Sequence, residues 1–298
     1  MKILISGPSG LVGTTLIPTL IAKNHKVFKL VRKPSKSADE IQWDAEKGFN
    51  DTEQTKLEGF DAVIHLAGDN IASENWSKAK KKIMVESRVQ GTRLLVEALK
   101  KCQDPPKIFI SASAEGFYGR STGDTILTED SPKGVGFLAD LCSNWEIEAQ
   151  KAESFARVVR LRISVVLSKG GGAIEKLLTP FKLGVGGALG SGKQWFPWIT
   201  IDDLIGVFHF ALENEISGAF NTTSPNPVTN YEFTKTLGKV LHRPTILSVP
   251  EFAVKLMFGE MGENLLLKGC RVVPKRLEEL GYKFKFENLE EALVHVLA

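Results

Sequence analysis

The chain has 298 residues, 43% apolar and 24% charged, which is enough for one large or two modest domains with a buried core. With 38 basic and 35 acidic residues its formal charge is +3, too small to argue for a nucleic-acid partner. The lysine clusters Lys80–Lys82 and Lys100–Lys101 fall among polar neighbours in predicted helix, where a solvated face is expected. Cys102, Cys142 and Cys270 stand at no metal-ligand spacing, and their odd number argues against a disulfide framework. No apolar run is long enough to span a bilayer, and the first strand begins at Lys2, leaving no room for a signal peptide. The expectation is a cytoplasmic protein with no metal and no membrane association.

Lys2–Ser6 (KILIS) is a short apolar run ending in glycines, as for a buried parallel strand. A helical pattern follows, with Leu11, Leu16, Leu20 and Ile21 on one face and a proline, Pro18, inside it. Lys26–Val31 and Asp61–Leu66 read as the second and third strands. Lys78–Lys101 reads as one long helix, Lys107–Ser111 as the fourth strand, Phe137–Phe155 as a helix and Arg157–Ile163 as the fifth strand. Strands alternating with helices predict a Rossmann-type α/β fold, a doubly wound parallel sheet with right-handed crossovers. Beyond about residue 168 the texture changes. Glycine-rich stretches at Gly170–Gly172 and Gly184–Gly192 precede a helix capped by Asp202 or Asp203, then helices at Asn230–Leu241, Glu251–Phe258, Pro274–Leu280 and Leu289–Leu297. This divides the chain into a dinucleotide domain, 1–168, and a smaller, mostly helical region, 169–298, that completes the cleft, with some segments free to return to the sheet.

The sharpest local motif is Gly7-Pro8-Ser9-Gly10-Leu11-Val12-Gly13, lying after a strand and opening a helix. Gly7 permits a tight turn, Gly10 lets the backbone approach a diphosphate, and Gly13 allows close helix–sheet packing. The first amides of the helix and its dipole then face the anion. A site preferring NAD places an acidic residue at the tip of the second strand. This chain has Val31-Arg32-Lys33, and Arg32 offers a planar fork for a 2′-phosphate. The expected cofactor is NADP(H).

On these residues the chain resembles the extended short-chain dehydrogenase/reductases of the NAD(P)-dependent epimerase/dehydratase group, and within it an atypical branch with a C-terminal domain of unknown function. The likeness runs through ILISGPSGLVG, DAVIHLAGDNIA, ESRVQGTRLLVEAL, FISASAEGFYG, VVRLRISVVLS, GSGKQWFPWITIDDL and LLLKGCRVVPKRLEELGY. The resemblance implies that Leu66, Ala67 and Gly68 lie against the adenine side of the cofactor, with Arg88 and Val166 also close to it, joining Gly7, Ser9, Gly10, Leu11, Val12, Gly13, Val31 and Arg32.

The group's Tyr-x-x-x-Lys pair is absent. Alignment on Trp145-Glu146 puts Leu138 where the tyrosine belongs and Cys142 where the lysine belongs. The chain's own Tyr-x-x-x-Lys, Tyr231 to Lys235, lies on a later helix and reads as coincidence. Tyr118, in the group's Tyr-Gly, and Ser113 become the candidates to face the nicotinamide, and Trp195, Phe196 and Trp198 the candidates to wall a small, partly apolar substrate. Two functions fit: an oxidoreductase or epimerase acting on a small carbonyl or hydroxyl compound, or a sensor that binds the cofactor without turnover. A third, nucleotide hydrolysis, hangs on Gly187–Lys193, which copies seven positions of a phosphate-binding loop but continues to Gln194 where magnesium needs Ser or Thr. By resemblance the chain is a monomer or homodimer.

Overall fold

The computed structural model describes residues 1–119 and 121–298. Its first half alternates as the sequence predicts: β1 (Lys2–Ser6), α1 (Leu11–Ala22), β2 (Lys26–Val31), β3 (Glu40–Gln42), α2 (Asp51–Thr55), β4 (Ala62–His65), α3 (Lys78–Val85), α4 (Gly91–Lys100), β5 (Ile108–Ala114), β6 (Ser121–Leu127), α5 (Phe137–Gln150) and β7 (Arg157–Ile163). The second half adds β8 (Val165–Leu167), α6 (Gly172–Lys182), β9 (Ala188–Leu189), β10 (Trp195–Phe196), β11 (Trp198–Thr200), α7 (Ile201–Glu213), β12 (Gly218–Thr222), β13 (Val228–Thr229), α8 (Asn230–Val240), β14 (Ser248–Val249), α9 (Glu251–Leu265), β15 (Gly269–Val272), α10 (Lys275–Glu279) and α11 (Leu289–Leu297).

Seven strands form one parallel sheet in the order β12-β7-β5-β4-β1-β2-β3. The order reverses between β1 and β4, which leaves a crevice beyond their carboxyl ends. Both faces are covered, so the central strands carry apolar residues on both sides rather than on alternate positions. Ile3, Ile5, Ile64, Ile110, Val159 and Leu161 pack under α1 and α7. Leu4, Val63, Phe109 and Val158 pack with Leu95 and Leu99 of α4 and Ala149 of α5. Each fully buried Leu or Ile contributes about 1.5–3 kcal/mol.

Helix α1 continues through Pro18 to Ala22. It is held against α7 by the Thr19 hydroxyl at 2.9 Å from His209 Nε2 and by the Lys23–Glu213 ion pair, so tertiary packing outweighs the one lost backbone bond. The predicted helix from Lys78 to Lys101 is interrupted by a π-turn at Glu86–Gln90. Thr200, rather than Asp202 or Asp203, caps α7. Its Oγ1 accepts from Asp203 N at 3.1 Å, while the Asp203 carboxylate accepts from Lys285 N and Phe286 N and so ties the chain's last segment to α7.

The second half returns to the sheet through β12, whose Gly218–Thr222 pair in parallel with Val159–Ile163. Among the described residues it also contributes to four two-stranded sheets, β10-β13, β11-β8, β14-β9 and β15-β6. The predicted helix Glu251–Phe258 extends to Leu265 with a break at Gly259, where φ is 53°. Met261 and Phe258 of α9 pack on Met84, Leu138 and Leu141, so this helix lies across α3 and α5.

Candidate functional site

The ends of β1, β2 and β4 stand side by side, with Ser6 in register with Leu30 on one flank and His65 on the other. The chain must turn sharply after Ser6 to enter α1, and Gly7 does so at φ 69°. A side chain at Gly7 would also sit 3.0 Å from the Leu66 carbonyl. Gly13 is buried against the turn, and a methyl there would enter the Gly7 carbonyl oxygen and stand 2.9 Å from Pro8 Cα. Gly10 differs: a methyl added there meets nothing of the protein nearer than the Gly7 oxygen at 3.5 Å. Gly10 also sits at the N-cap of α1 and no side chain caps the helix, so its first-turn amides face an open, glycine-lined cradle.

These contacts separate the two glycines experimentally. Gly13→Val should lower stability by about 1–3 kcal/mol through overpacking. Gly10→Ala should change it by only about 0.5 kcal/mol or less. Urea denaturation of the two variants tests this, and equal losses would contradict the packing assigned to Gly13.

The loop after β4 closes the cradle. Leu66 N and Ala67 N donate to Ser6 Oγ at 3.0 and 3.1 Å. With both acceptor positions of that hydroxyl taken, its own hydrogen goes to His65 Nδ1 at 2.6 Å, and His65 Nε2 donates to Thr92 Oγ1 at 2.9 Å. Burial drives the His65 pKa down to about 3, so the ring is neutral. Ser6, His65 and Thr92, all fully buried, therefore fix the loop after β4 from beneath. Their polarity inside apolar strand and helix patterns is the sequence signal that could have identified them.

The other cofactor candidates distribute around this centre. Val31 ends β2 half-buried, and Arg32 is exposed at its tip. Ser9 is exposed in the turn. Val166, on β8, joins Leu11 and Val12 in the packing beside α1, and the loop at Gly172 passes so close that a methyl there would stand 3.2 Å from the Leu11 side chain and 3.4 Å from the Val166 oxygen. Gly68 lies under Arg88: an added methyl would be 3.1 Å from the guanidinium carbon. Arg88 projects from the π-turn, a distortion that recurs at functional sites. Its Nη2 donates to Asp69 O at 2.8 Å.

Ser113 and Tyr118, expected to face the reacting atoms, lie in one buried network, at 3% and 1% exposure. Ser113 and Arg162 are register partners on β5 and β7. Ser113 donates to Glu146 Oε1 at 2.7 Å, and Arg162 holds the same carboxylate in a two-point clasp at 2.8 and 2.9 Å. Arg162 Nη1 donates to the Tyr118 oxygen at 2.8 Å, and the Tyr118 hydroxyl donates to Asn221 Oδ1 at 2.6 Å. Burial pushes the phenol up to about 12 despite the adjacent Arg162. Both hydroxyl hydrogens are therefore engaged within the protein. The charges that organise this network, Glu146 and Arg162, were missed. The signal was Arg160 and Arg162 at alternate positions of an otherwise apolar strand, on the face that meets α5.

The aromatic trio separates. Trp198 is removed from the substrate wall: it is fully buried with Leu167, Ile174 and Phe233, and its Nε1 donates to Asn226 O at 3.2 Å. Phe196 packs on Phe233 in the same core, with ring centroids 4.2 Å apart and the planes tilted by 33°. Trp195 borders a cavity of about 280 Å³ with Asp124, Lys193 and Gln194, and its Nε1 donates to Asp124 at 3.0 Å. Gly187–Lys193 spans the two-residue strand β9 and a turn leading into β10, not a strand-to-helix junction, so the phosphate-loop reading fails on context. No described helix is long and apolar enough to cross a membrane.

Leu138 and Cys142 occupy the first turns of α5, both buried against Gly116. No acid or cation of α5 stands at the two positions where the Tyr-x-x-x-Lys pair would lie.

Comparison with known proteins agrees with this architecture. The model of the NAD dependent epimerase/dehydratase family matches residues 3–238, and that of a domain of unknown function, DUF1731, matches residues 249–296. An epimerase family protein of Mycobacterium tuberculosis is 40% identical over 291 residues, covering 97% of this chain and 95% of its own. A chloroplastic SDR39U1 homolog of Arabidopsis thaliana is 39% identical over 301 residues, covering 98% and 86%. The crystal structure of human epimerase family protein SDR39U1 (isoform 2) with NADPH superposes with a TM-score of 0.90 at 36% identity, covering 100% of this chain and 99% of that one. The glycine turn at the sheet's switch point and these end-to-end likenesses establish that the chain belongs to the NAD dependent epimerase/dehydratase family.

Proposed function

We propose that the chain binds NADP(H) across the glycine turn and acts as an oxidoreductase or epimerase on a small carbonyl or hydroxyl compound, without a Tyr-x-x-x-Lys pair. The observation that carries this reading is the uncapped start of α1 behind Gly10, open where Gly7 and Gly13 are crowded. That shape suits a diphosphate, and the human relative solved with NADPH supports the choice of ligand. The amides of Leu11–Gly13 would hold the diphosphate, with Gly10 leaving room for it, Leu66–Gly68 and Val166 would pack on the cofactor, and Arg32 would clasp the 2′-phosphate. When bound, the nicotinamide supplies or accepts hydride. Ser113 and Tyr118, with their hydrogens engaged, serve to position the floor of the cleft through Glu146 and Arg162.

Calorimetric titration of NADPH tests the cofactor reading, and absence of heat would overturn it. Arg32→Ala should weaken NADPH binding by about 1–3 kcal/mol, the worth of a charge-assisted bond, and leave NADH nearly unaffected. Equal effects on both would remove the role given to Arg32.

The rival reading, a cofactor-binding sensor without turnover, is favoured by one observation: the apolar Leu138 and the thiol Cys142 where proton-handling groups belong. Stopped-flow absorbance of bound NADPH against aldehydes and ketones separates the two. We place the protein in the cytoplasm as a monomer or homodimer; since α9 already lies across α3 and α5, a dimer would pair through another surface.

A further inference from the structure

We propose that Arg88 supplies, from the neighbouring helix, the fixed positive charge that the absent lysine would have carried at position 142, and that this charge faces the nicotinamide end of the cofactor and favours its reduced form. The inference rests on the NADP(H) reading above.

Sheet order sets the direction of the cofactor. Arg32 follows β2, on one side of β1, while Arg88 lies over the segment that follows β4, on the other. Arg88 bridges from that segment to Trp145 of α5, and it is this α5 side, where the group's lysine would stand at position 142, that points to the nicotinamide end. The π-turn delivers Arg88 into a half-buried position above Gly68, the one residue type that leaves room for it. Its guanidinium is held by Asp69 O at 2.8 Å and lies 5.3 Å from the ring of Trp145, one turn beyond Cys142 on α5. The Trp145 ring nitrogen is itself buried without a hydrogen-bond partner. Burial works against the charge of Arg88 and lowers its pKa, while the neighbouring Cys142 and the Asp69 carboxylate act in the opposite direction. The carboxylate is already paired with Lys80, a lysine only 3% exposed, so it does not cancel Arg88 alone. A cation thus stands beside the residue that replaced the family's lysine, although it comes from a different helix.

The consequence is a preference between redox forms. The oxidised nicotinamide ring is positively charged and the reduced ring is neutral. A fixed cation at short range in a partly desolvated cleft therefore penalises the oxidised form. A residue that merely supports the loop would weaken both forms alike.

The test measures dissociation constants for NADPH and NADP⁺ by calorimetry. The unmodified protein should bind NADPH roughly tenfold or more tightly than NADP⁺, which raises the bound couple's potential by about 30 mV per factor of ten. Arg88→Gln should bring the two constants together, while Arg88→Lys should keep them apart. Cys142→Lys in the Arg88→Gln background should restore the gap, and in the unmodified background should widen it. Equal loss of both affinities in Arg88→Gln, with their ratio kept, would overturn the proposal. Should Arg88→Gln fail to fold, the Arg88→Lys and Cys142→Lys ratios decide it: collapse in the first, or no widening in the second, rejects the charge. If the unmodified protein binds neither form, the cofactor reading itself fails, an outcome distinct from an unchanged ratio.

Discussion

Acidification from pH 7 to pH 4 is expected to remove about 3 kcal/mol of stability through a single side chain, His65. The ring is fully buried, its two nitrogens committed to Ser6 and Thr92, and its pKa falls from the ordinary 6.5 to about 3. Between those values the unfolded chain binds a proton that the folded chain does not. Stability from this group is therefore complete above pH 6.5 and declines as pH falls toward 3, at about 1.4 kcal/mol per unit. Urea denaturation from pH 7 to pH 4 should show this loss in the unmodified protein. His65→Gln removes the titrating group, so its stability should fall less steeply over the same interval by about one proton. Carboxylates contribute to both slopes, and the difference isolates the histidine. Parallel slopes would mean that the ring ionises normally. Because Ser6 also holds the Leu66 and Ala67 amides, acid should loosen the loop after β4 before the rest of the sheet.

Arg162→Met should lower stability by about 3–5 kcal/mol, the cost of leaving a buried carboxylate without its cation. Glu146 is 3% exposed and, among the described residues, would retain the Ser113 hydroxyl and Arg160, whose Nη1 stands 3.6 Å away. The Tyr118 hydroxyl would lose its donor at the same time. Pairing Arg162→Met with Glu146→Leu should recover most of the loss, because it removes the stranded charge as well as the clasp. Tyr118→Phe should cost only about 1–2 kcal/mol, since it deletes a neutral hydroxyl and leaves the ion pair intact. Denaturant midpoints for the four proteins measure this. A single variant as stable as the parent would show that water already reaches Glu146.

The two experiments probe different layers of one cleft. His65 acts from beneath the loop after β4, and Arg162 from beneath the segment Glu115–Tyr118. Neither needs to touch a ligand. Each fixes a backbone segment from within the sheet, where a fully satisfied polar network specifies one arrangement.

Local sequence determined the opening strand, turn and helix because every requirement there is satisfied within a dozen residues. An apolar run forms a buried strand, Gly7 turns the chain and Gly13 admits the helix. The parallel order of the other strands followed from their alternation with helices. Only the tertiary structure decided the rest, because the partners are distant in the chain: Ser6 with His65, Tyr118 with Asn221, and β12 returning to lie beside β7. The same holds for Trp198, whose sequence suits a substrate wall as well as a core, and for Arg88, whose π-turn no periodicity announces. Residue patterns report how a segment is buried and where it turns; which groups meet beneath the surface is set by packing between segments that carry no mark of one another.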